Sequence, residues 1–149
     1  HENQSLYFSY LSYGNLIPFP GFDDHKSPKN VSTIVLFCGI ANSYPLQEYL
    51  RDMCVDLLVL DFPDHHTYRK KDMNLISRTY DDAFTRNKII ITTEKDAMRL
   101  IKSDYISMLG NVPLFYIPIE VKFHGLDNAN FSNQIKKYVS ENKRDISVY

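Results

Sequence analysis

A chain of 149 residues, 44% hydrophobic and 23% charged, is large enough to bury one full core. Its net charge of −1 supplies no global field toward nucleic acid or anionic lipid, and no apolar run approaches the roughly 18 residues of a helical membrane span. Cys38 and Cys54 stand in apolar surroundings without CxxC spacing and read as reduced core residues rather than a redox pair.

The chain opens on His1 rather than Met and runs within a few residues into a strand pattern, so it is expected to be a piece of a longer protein. Tyr7, Ser9, Leu11 and Tyr13 alternate with Phe8, Tyr10 and Ser12, an aromatic-rich strand ended by Gly14-Asn15. Pro18, Pro20, Gly21 and then Asp23-Asp24-His25-Lys26-Ser27-Pro28 make a polar loop. Residues 1–29 are therefore expected to be a strand and loop leading in from another unit, and 30–149 the domain proper.

From there strands and helices alternate. A strand over 31–38 runs into a turn, Gly39-Ile40-Ala41-Asn42, where Gly39 is free to take a positive φ. Pro45 suits the first turn of a helix, whose apolar stripe is Leu46, Tyr49, Leu50 and Met53. A strand over 57–61 precedes a second helix over 70–84 with the stripe Met73, Ile76, Tyr80 and Phe84. The strand 88–92 leads into a short helix from Glu94, with Ala97, Leu100 and Ile101 inward. A long strand pattern over 113–121 continues to Phe123, and Asp127 can cap a last helix carrying Phe131, Ile135, Tyr138 and Val139 on one face. The tail after Glu141 is polar and expected to fray. This order implies an α/β fold, a mostly parallel sheet flanked by helices in a Rossmann-like three-layer arrangement. The opening strand is expected to lie antiparallel to a neighbour or to stand apart.

Two segments carry groups that handle protons and charge, and both directly follow an apolar strand: Asp61-Phe62-Pro63-Asp64-His65-His66 and Thr92-Thr93-Glu94-Lys95-Asp96. In open α/β sheets ligands gather at the carboxyl ends of strands. The Asp64 carboxylate can orient an imidazole, and histidine titrates near neutral pH; alternatively Asp64 only caps the loop and both histidines are merely exposed. Adjacent histidines in extended chain point to opposite faces, and no further His or Cys lies at ligand spacing, so no metal site is expected. Thr93 and Asp96 match a capping arrangement. That segment reads either as a well-capped helix start or, with Lys95 and free N–H groups, as a place for phosphate. The turn at Gly39 holds one glycine and is neither a GxGxxG fingerprint nor a P-loop. His25 and His124 carry no assigned role.

Taken in order, Tyr7-Phe8-Ser9-Tyr10, Phe37-Cys38-Gly39-Ile40-Ala41-Asn42, Phe62-Pro63-Asp64-His65-His66-Thr67-Tyr68 and Thr92-Thr93-Glu94-Lys95-Asp96-Ala97 resemble the C-terminal half of the tetraacyldisaccharide 4'-kinases, the lipid A 4'-kinases. The resemblance runs from about Tyr7 to His124. It implies the smaller C-terminal α/β domain of a P-loop-type kinase that uses ATP and Mg²⁺. That enzyme phosphorylates the 4'-hydroxyl of tetraacyldisaccharide 1-phosphate, giving lipid IVA, at the cytoplasmic face of the bacterial inner membrane. The implied partners are the lipid A disaccharide precursor, an N-terminal P-loop domain absent from this chain, and the inner-membrane surface, with no nucleic acid. His65 matches the family histidine that pairs with a catalytic aspartate of the N-terminal half, and Asp64 beside it matches too. Thr93 and Lys95 fall in a family motif and are candidates for contact with phosphate or substrate. The family usually reads Gly-Asn-Pro where this chain has Ala41-Asn42-Ser43-Tyr44-Pro45, so a turn one or two residues longer is expected. No G-x-x-x-x-G-K-[ST] loop occurs, and the chain alone is expected to be inactive.

Two other readings stand beside this one. Asp64-His65-His66 is similar to the motif of the metal-dependent DHH phosphoesterases. Their further aspartates would have to come from Asp23-Asp24 or Asp81-Asp82, adjacent pairs rather than D-x-D. The other is a non-catalytic α/β folding unit.

Overall fold

Runs of β-branched and aromatic residues form the strands, and the helices begin where polar or proline residues interrupt them. In chain order the elements are β1 (Ser9–Tyr13), β2 (Ile17–Pro18), β3 (Val31–Cys38), α1 (Tyr44–Arg51), β4 (Cys54–Asp61), α2 (Lys70–Asp82), β5 (Lys88–Thr93), α3 (Glu94–Leu100), β6 (Leu114–Ile117), β7 (Ile119–Phe123) and α4 (Asp127–Glu141). The structure, a computed structural model, describes residues 4–22 and 30–141. Asp23, Asp24 and His25 of the polar loop, and the tail beyond Glu141, lie outside the described residues. Two compact units are present, one of His1–Tyr13 with Ile119–Tyr149 and one of Gly14–Pro118.

The larger unit holds a five-stranded sheet in the order β2-β6-β5-β3-β4. Parallel pairing joins β4 to β3, β3 to β5 and β5 to β6, while the two-residue β2 pairs antiparallel with β6 at the edge. A strand flanked on both sides and covered on both faces is apolar throughout. β3 obeys this rule, with every residue but Ser32 buried. Right-handed crossovers carry the chain from β3 outward to β4 and then back over β3 to β5. They place α1 on one face of the sheet and α2 and α3 on the other, which makes the three layers. Val35, Phe37, Ile90 and Leu114 cluster with Met73, Ile76, Ala97 and Leu100 on the α2 and α3 side. Ile34, Leu36, Ile89 and Ile91 alternate to the opposite side, where α1 buries Leu46 and Leu50 one turn apart.

Several expectations need correction. The strand pattern over 113–121 is two strands, because Pro118 has no N–H to donate and interrupts the ladder. Its carbonyl accepts instead from the Gly14 N–H at 2.9 Å. β4 begins three residues earlier than the 57–61 pattern, since its edge position lets the exposed Val55 and Asp56 join it. α2 stops at Asp82, and the extended backbone of Ala83 turns Phe84 into solvent rather than onto the core. α3 likewise stops at Leu100 and leaves Ile101 exposed. Met53 lies past the end of α1 and Tyr49 is partly exposed, so two residues rather than four anchor that helix.

In the smaller unit β1 and β7 pair antiparallel, from Ser9 opposite Phe123 to Tyr13 opposite Ile119. The Asp127 carboxylate, in the first turn of α4, accepts from the Phe8 N–H at 3.1 Å. Phe131 stacks on Phe123 with ring centroids 5.0 Å apart and meets the edge of Tyr7 at 5.4 Å. The rest of the expected α4 stripe, Ile135, Tyr138 and Val139, stays exposed. A two-stranded ribbon has too little surface to cover a helix of 15 residues.

Leu36→Ala should lower the unfolding free energy of this chain by about 2–5 kcal/mol, as deletion of fully buried leucine atoms does. Val139→Ala, on the exposed stripe, should change it by less than about 0.5 kcal/mol. Urea unfolding of both variants checks the contrast.

Candidate functional site

The strand order reverses between β3 and β5, and the loops leaving their carboxyl ends part to opposite faces of the sheet. Gly39 follows β3 and Glu94 follows β5, while Phe62 to His66 follow β4 next to β3. The sheet thus gathers three segments that are far apart in sequence.

Asp96 ties two of them together. It is fully buried on α3, and its Oδ2 accepts the Gly39 N–H at 2.9 Å and the Thr93 hydroxyl at 2.8 Å. Thr93 is the N-cap of α3, its Oγ1 accepting from the Asp96 N–H at 3.2 Å. The expected cap is therefore present, but the carboxylate reaches across to another strand's loop. Behind it Cys38, the last residue of β3, is buried near Asp61 and Asp96; burial, then these two carboxylates, push its thiol up to about 12. Asp61 in turn accepts from the Ser43 hydroxyl at 2.8 Å, which fixes the start of α1.

Gly39 does not have a positive φ, contrary to expectation. Its glycine is required by space. A Cβ there would stand 3.1 Å from the Pro63 carbonyl oxygen and 3.2 Å from the His66 Cβ. Among the described residues the non-glycine residue with a positive φ is His65, at 61°. Non-glycine residues rarely take this conformation, and it turns the His65 side chain away from the path of the strand.

The loop residues sort into an inner and an outer histidine. His66 is the inner one. Its ring stacks on Phe62 with centroids 4.7 Å apart, and Tyr68 meets both rings edge-on. Its Nε2 donates to the buried Asp72 Oδ2 at 3.0 Å, because a carboxylate can only accept. The same oxygen accepts the Arg69 N–H at 2.8 Å and so caps α2. Burial by itself would raise the Asp72 carboxyl, but the hydrogen bonds from His66 and Arg69 outweigh it and hold the group below the usual carboxylate range.

His65 is the outer one, with its side chain 73% exposed. Its N–H donates to Asp64 Oδ1 at 2.9 Å, and its Nε2 lies 3.5 Å from Asp64 Oδ2. The Arg99 Nη2 is 2.8 Å from its Nδ1. A guanidinium only donates, so Nδ1 accepts and the imidazole is neutral with its proton on Nε2, facing Asp64. Lys95 Nζ donates to Asp64 Oδ1 at 2.6 Å and to the Gly39 carbonyl at 3.1 Å. That hydrogen bond from Lys95 is the main cause holding the Asp64 carboxyl below its ordinary value.

All four sequence-selected residues thus meet at one place. Asp64 and His65 face outward, Lys95 is engaged with Asp64, and the Thr93 hydroxyl is buried and closed on Asp96. Sequence reasoning passed over Arg99, Asp72 and the cross-strand role of Asp96. Only Arg99 left a usable signal, since it stands four residues after Lys95 on the same helix and so on the same face. Among the described residues no three His, Cys, Asp or Glu side chains come together to hold a metal ion. Asp82 instead lines a cavity of about 480 Å³ with Thr33, Asp56 and Thr85, at the amino ends of the strands and so at the far end of the sheet from Asp64.

A family model described as tetraacyldisaccharide-1-P 4'-kinase matches residues 15–140. The tetraacyldisaccharide 4'-kinase of Bacteroides thetaiotaomicron is 34% identical over an alignment covering 97% of this chain and 40% of that protein. The enzymes of the same name from Phocaeicola vulgatus and Flavobacterium johnsoniae are each 32% identical, over 95% and 94% of this chain and 40% and 37% of theirs. The chain therefore spans about 40% of the length of the curated relatives it matches. Among solved structures, a crystal structure of LpxK from Aquifex aeolicus, described as an "apo" form in complex with ATP, is 17% identical, with a TM-score of 0.39 over 89% of this chain and 35% of that one.

Two outcomes follow from the geometry. Gly39→Ala should cost about 1–3 kcal/mol in urea unfolding, the range for forcing atoms into a packed site. Asp72 contributes stability above the unfolded carboxylate pKa of about 3.9, and that contribution is lost as pH falls through its lower folded value. The urea midpoint should accordingly drop on acidification below about pH 4, and Asp72→Asn should show a lower midpoint at neutral pH and a shallower acid drop.

Proposed function

Because the chain belongs to the tetraacyldisaccharide-1-phosphate 4'-kinase family, we propose that it is the C-terminal part of an ATP-dependent lipid kinase that phosphorylates the 4'-hydroxyl of a tetraacyldisaccharide 1-phosphate. The observation that carries this reading is the Asp64-His65 pair, held outward at the switch point of the sheet by Lys95 and Arg99. The chain has no phosphate-binding P-loop sequence, and the described residues hold no metal-binding group. In this reading the P-loop that cradles the triphosphate of ATP and the ligands of Mg²⁺ belong to the part of the protein beyond this chain. Residues 1–29 lead in from that N-terminal P-loop domain. In this reading the intact protein works at the cytoplasmic face of the inner membrane.

His65 then assists a carboxylate of the N-terminal domain in accepting the proton of the sugar hydroxyl. Its exposure leaves room for that partner, and Asp64 sets the direction of the ring. Phosphoryl transfer depends mainly on positioning and on stabilising charge, which suits a residue held between Asp64 and Arg99. Thr93 and Lys95 act one step back in this reading. Thr93 fixes α3, and Lys95 pins Asp64 against the Gly39 turn.

The test is transfer of phosphate from ATP to the disaccharide by the full-length protein and its variants. His65→Ala should lower kcat by about 10²-fold or more with a much smaller change in KM, as expected for a group that moves a proton in the transition state. His66→Ala should instead lower the urea midpoint, through loss of the Asp72 hydrogen bond and the Phe62 stack, and retain most of kcat. The reverse ranking in kcat would remove His65 from the reaction.

A further inference from the structure

Beside the Asp64-His65 pair lies a cavity of about 660 Å³ lined by His65, His66, Thr67, Tyr68, Arg99, Leu100, Ser103 and Tyr105. No carboxylate is among the lining residues, and Arg99 is a fixed positive charge on the wall. The neighbouring Lys95 and His66 already have carboxylate partners. Lys95 lies 2.6 Å from Asp64, and His66 donates to Asp72 at 3.0 Å. Arg99 differs: among the described residues no carboxylate lies within ion-pairing distance of it, and its hydrogen bond goes to the neutral His65 Nδ1. One of its five N–H donors is used in this way, which anchors the guanidinium and leaves the remaining donors for a ligand.

The rest of the wall is complementary. Ser103 Oγ accepts the Tyr105 N–H at 3.2 Å, which leaves the hydroxyl proton free to donate. Leu100, Tyr68 and the Tyr105 ring supply apolar surface. The volume falls in the range of small-molecule sites and is many times that of inorganic phosphate. A single fixed cation with hydroxyl donors and apolar walls suits a phosphate ester with an organic body, rather than a free anion or a metal ion.

We infer that this cavity binds the phosphate group of a phosphorylated sugar or nucleotide, with Arg99 as its principal ligand and Ser103 as a second donor. The assignment deepens the kinase reading and rests on it for the choice of ligands: the two sources of such a group are the nucleotide and the sugar 1-phosphate headgroup. His65 stands at the junction, since the Arg99 that grips the phosphate also holds His65 Nδ1. Binding would then be sensed directly by the ring that faces Asp64.

The experiment is a titration of the 149-residue chain, followed by proton–nitrogen NMR, with ADP, with glucosamine 1-phosphate and with glucosamine as the phosphate-free control. Saturable shifts are expected at the Arg99 side chain and at the Ser103 and Tyr105 amides, with dissociation constants of about 1–10 mM for a single-site contact of this kind. Arg99→Gln should weaken binding at least about tenfold and Arg99→Lys by less, because lysine keeps the charge but not the fork. Arg99 is an exposed side chain, and the dispersion of the same spectra reports whether each variant is folded. Tighter binding of ADP assigns the cavity to the nucleotide, and tighter binding of glucosamine 1-phosphate assigns it to the headgroup. Absence of saturable shifts, equal shifts with glucosamine, or unchanged binding in the folded Arg99→Gln variant overturns the proposal. These outcomes are independent of turnover. A full-length protein that fails to phosphorylate the disaccharide would sink the kinase reading and leave the Arg99 site standing.

Discussion

A buried carboxylate organises this fold. Asp96 is sealed from solvent, and a carboxyl group in such a place costs free energy unless donors meet it. Gly39 N–H and the Thr93 hydroxyl are those donors, and they come from the loops on either side of the switch point. The sheet brings the ends of β3 and β5 side by side, and Asp96 sets how closely the two loops approach. Everything chemically interesting then hangs on that closure. The glycine at 39 leaves room for the loop after β4 to lie over it, and that loop carries Asp64 and both histidines.

Layered charge pairing does the rest. The innermost carboxylates, Asp96 and Asp72, are spent on backbone N–H groups and on side chains of their own surroundings. Asp64, further out, takes Lys95. Each layer positions the next, although among the described residues the Asp96 Oδ1 and the Tyr68 hydroxyl stay buried without a hydrogen-bond partner. His65 is left at the rim with an uncommon backbone conformation and three contacts, its own N–H to Asp64, Nε2 beside Asp64 and Nδ1 against Arg99, while Lys95 braces Asp64. This backbone conformation sits at a strand end, next to an open cavity, and turns the ring outward rather than into the packing.

Two adjacent histidines of the same chemical type have been given opposite tasks by this arrangement. His66 is a packing residue that happens to be polar. It is stacked on Phe62, edged by Tyr68 and hydrogen-bonded to Asp72. His65 makes no ring stack with these aromatics, is mostly exposed, and has its tautomer set by a guanidinium. A positive φ at one residue separates them, since it swings one side chain out while its neighbour turns in.

Much of this could be read in the residues. The alternation of apolar runs with capped helices determines an α/β sheet with parallel strands, because a strand covered on both faces has to be apolar throughout and each crossover has to bury a stripe. Motif order identifies the family, and position after a strand end selects Asp64, His65, Thr93 and Lys95. Periodicity fails where it says nothing about what lies opposite. It runs β6 and β7 together across Pro118, extends α2 to Phe84, and gives α4 an inward stripe that the paired strands are too narrow to cover. Spacing along the chain likewise fixes the cap at Thr93 but not the reach of Asp96 across to Gly39. Those facts depend on distances between segments some 57 residues apart. Local propensity carries no information at that range, and only the packed sheet decides which loops meet, which glycine must stay small and which cation, Arg99, has no carboxylate beside it among the described residues.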